Sequence, residues 1–164
     1  MLLMVMGIGI FGLVVEGFLS VLLEATERRK TGLIKVKDKE HVLVCGWSET
    51  IRECVRELDS MGEEVYVLGP SPEIREEIEQ LKTDAVFVKG DPTRWDDLER
   101  AGAKAASMII IDLPTDSEAL DCVITLGNRT GARVVVEVER AENQQKFKNA
   151  GIDEMTIPFV LSGR

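Results

Sequence analysis

Residues 41–69 read HVLVCGWSETIRECVRELDSMGEEVYVLG, and this stretch decides the fold. "HVLVCG" is a short apolar run ending in glycine. "SETIRECVRELDSMG" sets Ile51, Val55 and Leu58 on one face of a helix, and "EVYVLG" is a second apolar run. Strand, helix and strand joined by short connections make a parallel βαβ unit, because parallel strands need a crossover between them.

The alternation continues outward. "SPEIREEIEQLK" reads as a helix and "AVFVKG" (85–90) as a third strand. "DPT" leads into another helix, with Pro92 suited to its first position. "SMIIID" (107–112) is a fourth strand, and Thr115 with Glu118 offers a capping box to the helix carrying Cys122, Val123 and Leu126. "RVVVEVE" (133–139) is a fifth strand, "AENQQKFKNAG" a helix and "EMTIPFV" a sixth strand. The expected fold is α/β, a Rossmann-like doubly wound parallel sheet in the order 3-2-1-4-5-6. It is preceded by one partial transmembrane helix, for the first segment is a different material. Residues 1–23, MLLMVMGIGIFGLVVEGFLSVLL, carry one charge, Glu16, and a basic cluster of Arg28, Arg29 and Lys30 follows. As a helix rising about 1.5 Å per residue, this is long enough to cross a bilayer's hydrocarbon core, with the basic cluster on the cytoplasmic side. A buried core helix is the alternative, and a signal peptide is disfavoured because no basic residues precede the apolar run. The reading divides the chain into a membrane helix (1–24), a linker (25–40) and an α/β domain (41–164).

Within the apolar segment Gly9, Gly12, Glu16 and Ser20 share one helical face. A lone carboxylate in a membrane helix looks into a bundle or a water-filled path. Gly7, Gly9 and Gly12 either let neighbouring helices approach closely or make a bendable, pore-lining helix; periodicity does not separate the two. The chain's 164 residues carry a formal charge of −9 and no basic stripe, which argues against nucleic acid as a partner. Cys45, Cys54 and Cys122 are odd in number and lack C-x-x-C spacing, which favours buried reduced thiols over a disulfide frame or a zinc site.

A dinucleotide fold of this kind normally carries G-x-G-x-x-G after its first strand. Here the stretch is "GWSETI": Gly46 keeps the first position, while Ser48 and Ile51 take the other two. Asp91, after the third strand, can touch an adenosine or cap the next helix. Gly46 and Asp91 are thus the candidates for a loose nucleotide site. His41, the only histidine, has no nucleophile near it in sequence and reads as a surface or strand-edge residue. Trp47 and Trp95 read as packing or interface residues. No constellation resembles an enzyme.

The second informative stretch is "VVVEVER" (134–140). Glu137 and Glu139 stand two apart in a strand, so both carboxylates leave it on the same side. In the expected order the fourth and fifth strands are neighbours, about 4.8 Å apart, and two residues along a strand span about 6.6 Å. Asp112, at the end of the fourth strand, can therefore converge with Glu137 and Glu139. Three carboxylates without histidine or thiol form a hard, all-oxygen site that suits calcium better than zinc. The alternative is that these acids are solvated at the sheet's edge, with Arg140 or another cation nearby.

"HVLVCGWSET", "GDPTRWDDLE", "IIDLPTDSE", "EVERAEN" and "PFVLSGR" together resemble the RCK family, the regulators of potassium conductance, and in it the archaeal calcium-gated channels. The resemblance covers nearly the whole chain. It implies that Asp112, Glu137 and Glu139 match calcium-coordinating acids, that Gly7 matches an inner-helix hinge, and that Glu16 matches an acidic ring at the cytoplasmic pore mouth. It also implies a homo-oligomer, with a tetrameric pore that passes potassium ions through the cell membrane and a cytoplasmic gating ring below it. The sequence holds no T-V-G-Y-G-like filter, so by itself it is not expected to select potassium. The function expected is a calcium-sensing gating domain; the alternative is a nucleotide-sensing regulatory subunit of a potassium transporter.

Overall fold

The computed structural model describes residues 31–157. The chain divides between Leu33 and Ile34, and the description below concerns the second unit. The expected membrane helix, with Gly7, Gly12 and Glu16, lies outside the described residues, as does "PFVLSGR". Among the described residues no helix is long and apolar enough to cross a membrane.

Six parallel strands form one sheet in the order β3-β2-β1-β4-β5-β6. They are β1 (Val42–Cys45), β2 (Val65–Gly69), β3 (Val86–Lys89), β4 (Met108–Ile111), β5 (Arg133–Glu137) and β6 (Glu154–Thr156). The helices are α1 (Glu49–Ser60), α2 (Glu73–Leu81), α3 (Trp95–Arg100), α4 (Asp116–Leu126) and α5 (Gln144–Asn149). This is the doubly wound Rossmann-like order the sequence predicts. Strand β1 lies between β2 and β4, which is why its four residues are all apolar and all buried.

The sheet separates two cores. Val44, Val67, Ile51 and Ile74 pack on the side of α1 and α2. Leu43, Ile109, Leu98, Leu126 and Phe147 pack on the side of α3, α4 and α5. Alternate residues of β1 thus feed opposite cores, and each fully buried aliphatic chain contributes about 1.5–3 kcal/mol by leaving water.

Several boundaries differ from the sequence reading. Pro92 is not the first residue of a helix: Arg94 N–H bonds to Asp91 O at 3.0 Å, so Pro92 takes the second position of a β-turn and α3 begins only at Trp95. The helix expected over 141–151 begins as a 3₁₀ turn, Ala141–Asn143. Strand β5 ends at Glu137, although Val138 N–H still reaches Thr156 O at 2.8 Å. Residues 34–40, read as linker, are docked: Val36 N–H bonds to Arg100 O at 2.9 Å, and Glu40 N–H bonds to Ala105 O at 2.8 Å.

His41 is neither at the surface nor at an exposed edge. The residue is 1% exposed and its ring packs edge-to-face on Tyr66 at 5.1 Å. Gly102 (φ +85°) makes the room, since a Cβ there would come within 2.7 Å of the imidazole. Burial holds His41 below the ordinary histidine range. The thiols of Cys45, Cys54 and Cys122 are free, the first and last of them buried.

Candidate functional site: a carboxylate pocket at the carboxyl edge

The pocket lies where β1, β4 and β5 end. Its position follows from the topology, because loops at the carboxyl ends of β1 and β4 diverge to opposite faces and leave a crevice there. Trp47, Ser48, Asp112, Leu113, Pro114, Glu137 and Glu139 line a cavity of about 330 Å³. All three acids singled out in the sequence are among them.

Ile111 of β4 pairs with Val136 of β5, so Asp112 and Glu137 follow on adjacent strands at the same level. Their carboxyl groups are close enough for the Asp112 charge to act on Glu137. Burial, and then the Asp112 charge, push the Glu137 carboxyl above the ordinary range. Glu139 lies two residues on, past the end of β5, and is exposed. The three acids therefore border one pocket without forming a closed ligand cage, and no such cluster of three metal-binding side chains occurs among the described residues. Arg140, the cation the solvated-edge alternative invokes, pairs with Glu142 at 3.8 Å, and Arg133 pairs with Glu154. Among the described residues no lysine or arginine pairs with Asp112, Glu137 or Glu139. The donors are carboxylates with no cationic partner among the described residues, and oxygen donors of this kind are the chemistry that hard divalent cations take.

Two residues hold Asp112. Ser48, the N-cap of α1, accepts from Ile51 N–H at 3.1 Å and donates its hydroxyl proton to the Asp112 carboxylate. On the main chain, Asp112 N–H bonds to Cys45 O at 3.0 Å. Gly46 follows with φ +106°, and a Cβ there would lie 1.8 Å from Asp112 O. Gly46 is thus glycine because the Asp112 carbonyl occupies the space of a side chain, whatever the loop binds. Trp47, beside the pocket, donates from its indole N–H to Glu77 at 2.7 Å, and Arg52 pairs with the same carboxylate. Arg129 and Lys104 lie over the Trp95 ring, 4.9 Å and 5.5 Å from its centroid.

The other nucleotide candidate, Asp91, closes its own turn. One oxygen accepts from Thr93 N–H at 2.9 Å and from the Thr93 hydroxyl at 2.7 Å. Gly46 and Asp91 sit on the same sheet edge, separated by the whole of β2.

The sequence reading missed Asp116. Its carboxylate accepts from the N–H groups of Glu139 (2.7 Å) and Arg140 (3.1 Å) and from the Asn143 side chain (2.7 Å). An aspartate just after Thr115 looks in sequence like a first-turn acid placed for the helix dipole, and only the fold brings the β5–α5 connection over it.

A sheet in this order, with its crevice at the carboxyl edge, defines the class of Rossmann-like domains. The chain belongs to the TrkA-N domain family, whose model matches residues 42–158. It is 26% identical, over all of its length, to the calcium-gated potassium channel TvoK of Thermoplasma volcanium, covering 49% of that protein. It is 21% identical over 96% of its length to potassium channel protein 1 of Methanocaldococcus jannaschii, again covering 49%. The chain thus spans about half the length of these curated relatives. Among solved structures it resembles the GsuK channel bound to NAD, with a TM-score of 0.73 and 21% identity over 88% of this chain and 27% of that one, a likeness of fold.

Proposed function

We propose that this chain is the calcium-sensing gating part of a ligand-gated potassium channel. The domain would face the cytoplasm and be tied through residues 25–40 to a pore helix in the cell membrane. The observation that carries the reading is the meeting of the Asp112 and Glu137 carboxyl groups in a pocket that Glu139 also borders, with no pairing cation among the described residues. The names of the two channel relatives support it.

Asp112, Glu137 and Glu139 would hold the ion, and calcium would supply the positive charge that offsets their mutual repulsion. Asp112 is held by Ser48 and thereby joined to the N-terminus of α1, while Glu139 belongs to the connection into α5. Drawing these acids together changes the relation of two loops on opposite faces of the sheet. In a homo-oligomeric ring below a tetrameric pore, many identical sites would multiply a small difference in affinity between closed and open states. Residues 31–40 would carry the change towards Glu16, Gly12 and Gly7, the proposed gate and hinge through which potassium ions pass.

Calorimetric titration of the full chain with calcium, magnesium and an adenine nucleotide tests this. Calcium binding that Glu137→Gln abolishes is expected. Nucleotide binding without calcium binding would instead make the domain a nucleotide sensor of a transporter.

A further inference from the structure

Strand pairing stops short of Glu139. The ladder of β5 ends at Glu137, and the last backbone bond to β6 is that of Val138 N–H to Thr156 O. Beyond it the backbone N–H groups of Glu139 and Arg140 both end on the carboxylate of Asp116, as does the Asn143 side chain where the 3₁₀ turn passes into α5. Asp116 itself cannot wander. It follows the N-cap Thr115, whose hydroxyl accepts from Glu118 N–H at 3.2 Å, and it lies four residues after Asp112. One carboxylate therefore joins the loop that carries Asp112 to the loop that carries Glu139. Burial raises the Asp116 carboxyl, but the bonds from Asn143, Glu139 and Arg140 outweigh it and hold the group below the ordinary range.

We propose that Asp116 is the positioning residue of the carboxylate pocket, fixing the Glu139 backbone at the rim of the cavity that Asp112 and Glu137 also line, from where its side chain can turn towards a shared cation. It touches no ligand; it acts through the Glu139 backbone. The inference rests on the calcium reading of the pocket. Partners that orient metal ligands typically carry about 10–100-fold in affinity when removed.

The test compares Asp116→Ala and Asp116→Asn with Glu139→Gln, singly and combined, in the full chain. Hydrogen exchange is read at the Glu139 and Arg140 amides without calcium, and calcium affinity by calorimetry. Asp116→Ala should speed exchange of both amides about tenfold or more, since each loses a bond to a charged acceptor. It should weaken calcium about tenfold or more, with Asp116→Asn intermediate because its amide oxygen still accepts either the Glu139 bond or those from Arg140 and Asn143. In the Glu139→Gln background, Asp116→Ala should weaken calcium no further, which a merely structural residue would not satisfy. Unchanged exchange would overturn the clamp. Unchanged calcium affinity in Asp116→Ala, or losses that simply add, would overturn the positioning role while leaving the calcium site standing. Absence of calcium binding in the unsubstituted chain would remove the site reading and this inference with it.

Discussion

Replacing Gly46 with alanine separates two explanations of the first-strand loop. If the glycine served only to admit a pyrophosphate, Gly46→Ala would leave stability nearly unchanged and abolish nucleotide binding. The structure leads to a different result. The new Cβ would lie 1.8 Å from the Asp112 carbonyl oxygen, whereas real Cβ atoms essentially never approach within 3.0 Å. The obstacle is backbone, so β1 and β4 must part, at the expense of the bond from Asp112 N–H to Cys45 O, worth about 0.5–1.5 kcal/mol. A backbone at φ +106° adds strain of about 1–3 kcal/mol for any residue with a side chain. The loss should therefore be about 3 kcal/mol, or a fall in Tm of about 10 °C for a chain of this size. Thermal unfolding followed by circular dichroism reads it, and the same shift, by moving Asp112, should weaken calcium. A loss below about 1 kcal/mol would mean that the Asp112 carbonyl is not packed on Gly46 in solution, and the argument for how Asp112 is held would fail.

Ser48→Ala removes the N-cap of α1 and the hydroxyl that Asp112 accepts from; it should cost about 1 kcal/mol and weaken calcium, whereas Ser48→Thr should keep both properties. Calorimetry and thermal unfolding check this, and equal calcium affinity in all three proteins would contradict it. His41 makes a pH prediction. Its folded-state pKa is depressed by burial, so the unfolded chain takes up the proton first; stability is complete above the ordinary histidine value of 6.5 and declines as pH falls below it. Asp38 and Glu64 are the acids whose charge opposes this shift. His41→Gln should flatten the stability profile between about pH 7 and pH 5.5, where ordinary carboxylates have not yet titrated; an unchanged slope would show that His41 is solvated.

The sheet was legible in the sequence because its signals are local and strong. The βαβ unit from His41 to Gly69 shows its period change directly, and the all-apolar run of β1 marks a strand buried on both sides. The pairing of β4 with β5, which brings Asp112 beside Glu137, follows from strand order and spacing alone. What stayed hidden depends on tertiary placement. Pro92 suits a helix start and a β-turn equally, and only the bond from Arg94 N–H to Asp91 O decides between them. The burial of His41 depends on the void left by Gly102, sixty-one positions away in sequence. Asp116 gains its role from a loop that arrives from β5, and Ser48, weighed as a replaced glycine, turned out to be the cap that holds Asp112.

The central claim is that the pocket of Asp112, Glu137 and Glu139 holds a hard cation, and Trp47 on its wall provides a local reporter. Terbium, which takes calcium's oxygen ligands, should luminesce when excited through this tryptophan. The signal should be displaced by calcium, and it should be lost in Glu137→Gln and in Trp47→Phe but kept in Trp95→Phe. Sensitised emission that survives both Glu137→Gln and Trp47→Phe, or none at all in the unsubstituted chain, would contradict the account.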